Sequence, residues 1–223
     1  YVLDKNMRRI GELTGLAPGE RIYSVRYMNQ MAYLVTFRQT DPLFAVDLSD
    51  PKNPKLMGQL KIPGFSEYLH PVDKNTLIGI GHSTDQNGIV DGLKLSMFDV
   101  SDPLSPQELH VYNFGGASAY SEALSNHKAV MVNEKRSLIT FPATVENQKN
   151  SGMENVYYIF SYDRDQGFKV EKILNHAGSD PYNSFVDVNR ALYIGDILYA
   201  FSPDQIVSYK MDHFTQLKKL SLI

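Results

Sequence analysis

The sequence Asp47-Leu-Ser-Asp-Pro51 returns as Asp99-Val-Ser-Asp-Pro103 about 50 residues further along the chain. In both places an alternating apolar segment runs into the turn, and a second proline, Pro54 or Pro106, follows three residues after the first. Another apolar segment then begins. A strand–turn–strand cassette that recurs at this interval is typical of repeat architectures, so it decides the prediction of the fold.

Turn-forming residues divide the chain into four such repeats, each with four short segments rich in Tyr, Val, Ile and Phe. A single twisted four-stranded sheet cannot bury both of its faces, whereas radially stacked sheets bury one another. We therefore predict an all-β fold, a β-propeller with about four four-stranded blades. A β-sandwich is the alternative, but it would not need the same strand order and turn four times. The predicted boundaries are 1–20 for an N-terminal hairpin and connection, then about 21–63, 64–115, 116–178 and 179–223 for the blades.

The composition excludes several classes of function. The net charge of −3 argues against a nucleic-acid-binding surface, and the chain carries no basic cluster. No apolar run approaches the length of a membrane span, so we predict no membrane insertion in this segment. The absence of cysteine excludes disulfides, thiolate metal sites and cysteine nucleophiles. Because the sequence begins at Tyr1 and shows no signal-peptide pattern, we expect it to be a piece of a longer protein.

The segments Arg21-Ile-Tyr-Ser-Val-Arg-Tyr27 and Ile62-Pro-Gly-Phe-Ser-Glu-Tyr-Leu-His-Pro71 resemble bacterial and archaeal secreted proteins that carry a C-terminal β-propeller domain. The resemblance covers most of the chain and is strongest over 19–106 and 189–201. It implies a propeller fold and an extracellular or cell-surface location, and it implies no activity. It also implies that the chain is part of a larger propeller. Blade faces left without a neighbour would then be exposed and apolar, so we expect self-association through them.

Basic and imidazole side chains recur at similar spacing in the four repeats. Arg26 and Arg190 lie eleven residues before Phe37 and Phe201. His70 likewise lies eleven residues before Gly81, and His127 lies fourteen before Phe141. We interpret them as recurring near one place on the first strand of each blade, where they would point into a central channel. The candidate catalytic residues at the mouth of this channel are Arg26, His70, His127 and Arg190.

Carboxylates next to these positions offer binding chemistry. Glu67 and Glu122 precede His70 and His127, so we predict an acidic, ligand-binding ring at the channel mouth. Two imidazoles with a carboxylate such as Asp85 or Glu122 form a set that can hold a transition metal. His82 and His176 invite the same interpretation. The alternative is that each histidine bonds the backbone of a neighbouring blade, and the sequence contains no His-x-x-x-His pair.

The loop from Asp85 to Gly92 has oxygen ligands at alternate positions and glycines for tight turns. Asp85, Asn87 and Asp91 are therefore candidate calcium ligands. Apart from calcium at this loop, we predict no cofactor. The loop lacks the distal glutamate of an EF-hand, and the alternative is an ordinary polar hairpin loop.

The sequence offers little support for catalysis. It contains no Gly-x-Ser-x-Gly elbow and no phosphate-binding glycine loop. We therefore predict a non-catalytic binding or scaffolding module of a secreted or cell-surface prokaryotic protein, whose partner is a protein or a surface glycan. Tyr112, Phe114 and Tyr120 are the aromatic candidates for contact with it. A hydrolase or lyase with a channel-mouth site is the alternative, and propellers host many functions.

Overall fold

The computed structural model describes residues 1–37, 41–147, 152–176 and 188–222. Within them the chain forms a two-stranded hairpin and four four-stranded sheets, each a simple antiparallel meander. We call these sheets blades 1 to 4 in chain order. Each meander has the strand order that the repeat pattern predicts for a blade.

The hairpin consists of β1 (Val2–Leu3) and β2 (Arg9–Gly11), and blade 1 consists of β3 (Arg21–Met28), β4 (Met31–Phe37), β5 (Asp41–Asp47) and β6 (Lys55–Ile62). Blade 2 consists of β7 (Phe65–Pro71), β8 (Thr76–Thr84), β9 (Val90–Asp99) and β10 (Gln107–Phe114), and blade 3 of β11 (Met131–Asn133), β12 (Leu138–Glu146), β13 (Met153–Asp163) and β14 (Gly167–Leu174). Blade 4 consists of β15 (Arg190–Ile194), β16 (Ile197–Phe201), β17 (Gln205–Lys210) and β18 (Thr215–Ser221). Three 3-10 turns, Glu122–Leu124, His127–Ala129 and Glu134–Arg136, flank β11.

The repeated Asp-x-Ser-Asp-Pro sequence has one repeated geometry. The Asp47 carboxylate accepts the backbone N–H of Ser49 at 2.8 Å, and the Asp99 carboxylate accepts that of Ser101 at 2.9 Å. The second aspartate of each cassette accepts a further backbone N–H two residues on, at 3.0 Å in both blades. Two successive Asx turns reverse the chain, which explains why aspartates bracket this connection.

The chain forms two compact units, Tyr1–Asn113 and Phe114–Ile223. In the first unit one face of blade 1, including Tyr33 and Val35, packs against Leu77 and Phe98 of blade 2. In the second unit a core of the same kind joins blades 3 and 4, through Leu138, Tyr157, Ile159, Leu198, Ala200 and Val207. Each large apolar side chain buried in this way contributes roughly 1.5–3 kcal/mol, so the sheet pairs are held mainly by these faces.

Among the described residues, blade 1 and blade 4 each present an exposed apolar face. The face of blade 1 turned away from blade 2 presents Ile22, Val25 and Tyr27, which are 57%, 42% and 69% exposed. Together with the N-terminal hairpin it lines a groove of about 590 Å³. The face of blade 4 turned away from blade 3 carries Leu192 and Ile194 and lines an apolar groove of about 800 Å³.

Candidate binding site

A polar cleft of about 170 Å³ lies in the second unit, beside the first 3-10 turn. It combines hydroxyl, amide and carboxylate groups with small apolar side chains. Its lining residues are Tyr120, Glu122, Pro142, Ala143, Thr144, Asn155, Val156, Val188 and Asn189.

Local hydrogen bonds fix the segment that carries Tyr120 and Glu122. Gly115 and Gly116 both have positive φ, so the chain can turn sharply after β10. Tyr120 then forms an isolated antiparallel bridge with Thr144, with N···O distances of 3.0 and 2.8 Å. The hydroxyl of Ser121 donates to the carbonyl of Pro142 at 2.5 Å. The segment is thereby held on β12, and the ring of Tyr120 is left half exposed at 50%.

Glu122 is held by a bidentate ion pair. Its two carboxylate oxygens accept hydrogen bonds from the two terminal nitrogens of Arg190 at 2.7 and 2.6 Å, and the Asn126 amide donates to it at 2.7 Å. The hydrogen bonds from Arg190 lower the pKa of Glu122, and those to Glu122 raise the pKa of Arg190. Both groups therefore stay charged at neutral pH, and the pair carries no net charge.

The recurrence interpretation of the basic side chains is wrong at the level of strand register. Arg190 pairs with Phe201, but Arg26 pairs with Tyr33 and His70 with Ile78. Equal spacing along the sequence gave unequal positions because the residues lie at different distances from their hairpin turns. Arg190 lies at the start of β15, whereas Arg26 and His70 lie near the ends of β3 and β7. His127 lies in a 3-10 turn whose N-cap is Asn126 and not on the first strand of blade 3, since β11 begins at Met131.

Arg26 and His70 belong to the first unit, while His127 and Arg190 belong to the second. The predicted convergence of these four side chains in a channel stays a prediction. Within the first unit, His70 Nδ1 lies 2.9 Å from the hydroxyl of Tyr68. Burial raises the pKa of that hydroxyl, and the nearby charge of Arg26 opposes the rise.

Glu67 lies beside His82. Its carboxylate lies 3.5 Å from His82 Nε2, and His82 Nδ1 lies 3.3 Å from the carbonyl of Gly92. Burial raises the pKa of Glu67, and the charges of His82 and Arg21 oppose that rise. Within the sheet, this pair links β7 to the β8–β9 ladder.

His176 is bonded through both of its ring nitrogens. Nδ1 lies 2.6 Å from the Ser202 hydroxyl and Nε2 lies 3.0 Å from the Tyr209 hydroxyl. Burial, aided by the charge of Lys219, lowers the pKa of His176 to about 4. The ring is therefore neutral at physiological pH. Its two hydrogen bonds give it a structural role, as in the alternative to a metal site, although its partners are hydroxyl groups and not backbone groups.

In the Asp85–Gly92 loop, the Asp85 carboxylate accepts the backbone N–H groups of Asn87 and Ile89, both at 2.8 Å. The backbone hydrogen bond from Ile89 is the main cause of its lowered pKa. This geometry is typical of a polar hairpin loop stabilised by its own aspartate. The calcium assignment of Asp85, Asn87 and Asp91 stays a prediction.

The described residues show neither a metal-binding cluster nor a membrane-spanning helix. In 1–37, 41–147, 152–176 and 188–222, no three His, Asp or Glu side chains are grouped so that they could hold a metal ion. Across the same parts of the chain, no helix has the length and apolar character needed to cross a bilayer.

Sequence reasoning found Glu122, Arg190 and Tyr120 but missed the rest of the cleft. Thr144, Asn155 and Asn189 come from three separate places in the sequence and carry no spacing signal. Phe114, an expected contact residue, instead packs among the rings of Tyr158 and Phe160, with centroids 5.0 and 5.7 Å away.

Comparison with known proteins identifies the fold. A family model described as "Beta propeller domain" matches residues 1–214. Uncharacterized proteins from Archaeoglobus fulgidus and Methanocaldococcus jannaschii are 38% and 37% identical over 100% and 99% of this chain. The chain spans 31% of the length of each relative. The β-propeller domain of Cps50 (Swd1) from Myceliophteria thermophila superposes with a TM-score of 0.52 at 12% identity, over 98% of this chain and 64% of that one.

These findings confirm the predicted all-β propeller fold. The two relatives are archaeal, which agrees with a prokaryotic family. The secreted location and the bacterial source implied by the resemblance stay predictions.

Proposed function

We propose that this chain, which belongs to the beta propeller domain family, is a non-catalytic binding module of a secreted or cell-surface prokaryotic protein. The observation that carries the proposal is the closed Glu122–Arg190 ion pair in an open cleft. Propeller domains serve widely as binding and scaffolding modules, so the fold supports this class of function without choosing the ligand.

The ion pair favours binding over proton transfer. A general acid needs a protonated group, but Arg190 lowers the pKa of Glu122 and keeps it ionised. A general base needs lone pairs directed at a substrate, and both oxygens of Glu122 already accept hydrogen bonds from Arg190. Arg190 itself does not release its proton in the physiological range. The charged groups of the cleft are thus suited to shaping a site rather than to acid–base chemistry.

The proposed ligand is a unit of a neutral surface glycan. The paired charges favour a ligand without net charge, while the hydroxyl of Thr144 and the amides of Asn155 and Asn189 suit a hydroxyl-rich one. Tyr120 adds an exposed ring with an apolar face and a polar tip. A protein partner would need roughly 800 Å² of contact surface per side, so it would have to bind well beyond the nine residues that line the cleft.

The test is saturation-transfer difference NMR with neutral hexoses and N-acetylhexosamines, with glucuronate as the charged comparison. We expect saturable binding of a neutral sugar that Tyr120→Ala weakens about tenfold. Tyr193→Ala is the matched control, because Tyr193 is 41% exposed and lies outside the cleft. Absence of binding to every sugar, or equal binding by the Tyr120→Ala variant, would overturn the proposal.

The hydrolase or lyase alternative needs Arg26, His70, His127 and Arg190 to meet around one substrate. Arg190 already donates two hydrogen bonds to Glu122, which leaves it less suited to that role. The enzyme alternative stays a hypothesis, and it is incompatible with a non-catalytic binding module.

A further inference from the structure

Two glycines in the first unit meet the backbone of a neighbouring turn. A β-carbon added to Gly58, in β6 of blade 1, would lie 2.5 Å from the carbonyl oxygen of Pro103. A β-carbon added to Gly11, in β2 of the hairpin, would collide with the carbonyl oxygen of Pro51. Pro103 and Pro51 are the closing residues of the two Asp-x-Ser-Asp-Pro cassettes. The same kind of turn therefore presses on a glycine in both places.

The surroundings of the two glycines also correspond. Gly11 opens the sequence Gly-Glu-Leu and Gly58 opens Gly-Gln-Leu. Each lies in the second strand of an antiparallel pair, with Gly11 opposite Val2 and Gly58 opposite Ala45. The hairpin β1–β2 therefore contacts the turn of blade 1 in the same way as strands β5–β6 contact the turn of blade 2. The latter two strands are the last half of a blade.

We propose that β1–β2 is the last half of a further blade, and that the open groove of about 590 Å³ is the seat of that blade's first two strands. The hairpin contributes Val2, Leu3 and Leu13 to one wall of this groove, and blade 1 contributes Val25 and Leu34 to the other. Within the described residues β1 pairs with β2 alone, so its opposite edge can accept another strand.

The occupant is a pair of apolar β-strands from the same polypeptide. In all four described blades the first two strands precede the last two along the chain. The strands that complete the hairpin therefore come from sequence preceding Tyr1 in the parent protein. Each of the two archaeal relatives contains further sequence outside the 31% that this chain matches. Their apolar side chains would cover Ile22, Val25 and Tyr27 as blade 2 covers the other face of blade 1.

The test compares this chain with one extended at its N-terminus by about 40 residues encoded upstream, roughly one repeat. Because the chain has no cysteine, Tyr27→Cys provides a unique thiol in the groove for labelling with a maleimide. Ile89→Cys is the control, since Ile89 is 64% exposed and lies in the polar loop of blade 2.

We expect the extension to slow labelling of the Tyr27→Cys variant at least tenfold and to leave the Ile89→Cys variant unchanged. Equal labelling of the Tyr27→Cys variant with and without the extension would overturn the proposal. Protection that appears in the unextended chain as its concentration rises would also overturn it, because a second copy would then be the occupant.

Discussion

The carboxylate of Glu122 gains most of its electrostatic stabilisation from one side chain, that of Arg190. The two residues are 68 positions apart, and their side chains are 37% and 36% exposed. Solvent at this exposure screens the attraction, although two parallel charge-assisted hydrogen bonds are stronger than a single surface contact. The pair is therefore a modest local clamp on the cleft rather than a large source of stability.

We predict a coupling energy of about 1 kcal/mol between Glu122→Gln and Arg190→Met in a double-mutant cycle measured by urea unfolding. The comparison pair is Lys169–Glu171, in which the lysine side chain is 74% exposed. Its coupling should be smaller, below about 0.5 kcal/mol. Equal coupling in the two cycles would contradict the clamp.

The neutral ring of His176 makes stability depend on pH. Its pKa is lowered in the folded chain from 6.5 to about 4, first by burial and then by Lys219, against the opposing charge of Asp204. The unfolded chain binds a proton near pH 6.5, whereas the folded chain does not until near pH 4. The contribution of this group is therefore complete above pH 6.5 and falls as the pH drops toward 4, by at most about 3 kcal/mol.

We expect His176→Asn to flatten the decline in unfolding free energy between pH 6.5 and 4, as measured by urea denaturation at several pH values. His213→Asn is the control, because His213 is exposed. Parallel pH curves for the wild-type chain and the His176→Asn variant would show that this ring does not carry the effect.

How far individual residues could be predicted from the sequence depends on whether a local pattern marks them. Glu122 and Arg190 were both singled out, but as members of a channel-mouth set. Their bidentate pairing is a long-range contact that no spacing encodes. The same holds for His176, whose partners Ser202 and Tyr209 lie 26 and 33 residues away.

The Asp-x-Ser-Asp-Pro turns join two strands of one sheet and also contact the backbone of the neighbouring sheet. In the first unit, the carbonyl of Pro103 reaches the backbone of Gly58, where any side chain would intrude. Neither Gly58 nor Gly11 has positive φ, so the demand for glycine there comes from close approach and not from backbone conformation.

We predict that Gly58→Ala and Gly11→Ala each lower the free energy of unfolding by about 1–3 kcal/mol, because backbone atoms must move to admit the methyl group. Gln59→Ala, at an exposed neighbouring position, should stay within about 0.5 kcal/mol of the wild-type chain. Chemical denaturation of the three variants provides the comparison. If Gly11→Ala left the free energy of unfolding unchanged, the proposed correspondence between the hairpin and the last half of a blade would be wrong.

Most strands were predictable because they are rich in Tyr, Val, Ile and Phe and end in recognisable turn residues. The repeated cassette predicted the meander order, and the structure has that order in all four described sheets. Blade 3 was less predictable at its start. Side-chain caps from Ser121 and Asn126 fold the approach into 3-10 turns, and capping residues do not alter an apolar pattern. Residue counts across hairpins likewise failed to give register, because equal counts do not fix how far a residue lies from the hairpin turn.

The second unit exposes apolar sheet surface on blade 4. Leu192, Ile194 and Leu220 on the open face of blade 4 are 42%, 67% and 60% exposed. Contiguous apolar surface of this kind favours association. This property was expected from the family resemblance, but which faces are open could be seen only from the packing of the sheets.

We predict that the 25.2 kDa chain associates reversibly at micromolar concentration in sedimentation equilibrium. Ile194→Glu should weaken this association at least tenfold, because it would bury a charge in the contact. Ile89→Glu, in the polar loop of blade 2, should leave it unchanged. A wild-type chain that stays monomeric at all concentrations would show that the open face of blade 4 is not an association surface.

The measurement that tests the proposed function most directly is the mass of a bound oligosaccharide before and after incubation with the chain. The chain is incubated with the neutral oligosaccharide that it binds best, and the sugar recovered from the complex is weighed by mass spectrometry. The account predicts saturable binding that depends on Tyr120 and recovery of the oligosaccharide unchanged. Cleavage of the sugar by the wild-type chain, lost in the Arg190→Met variant, would contradict it and show that the propeller is an enzyme.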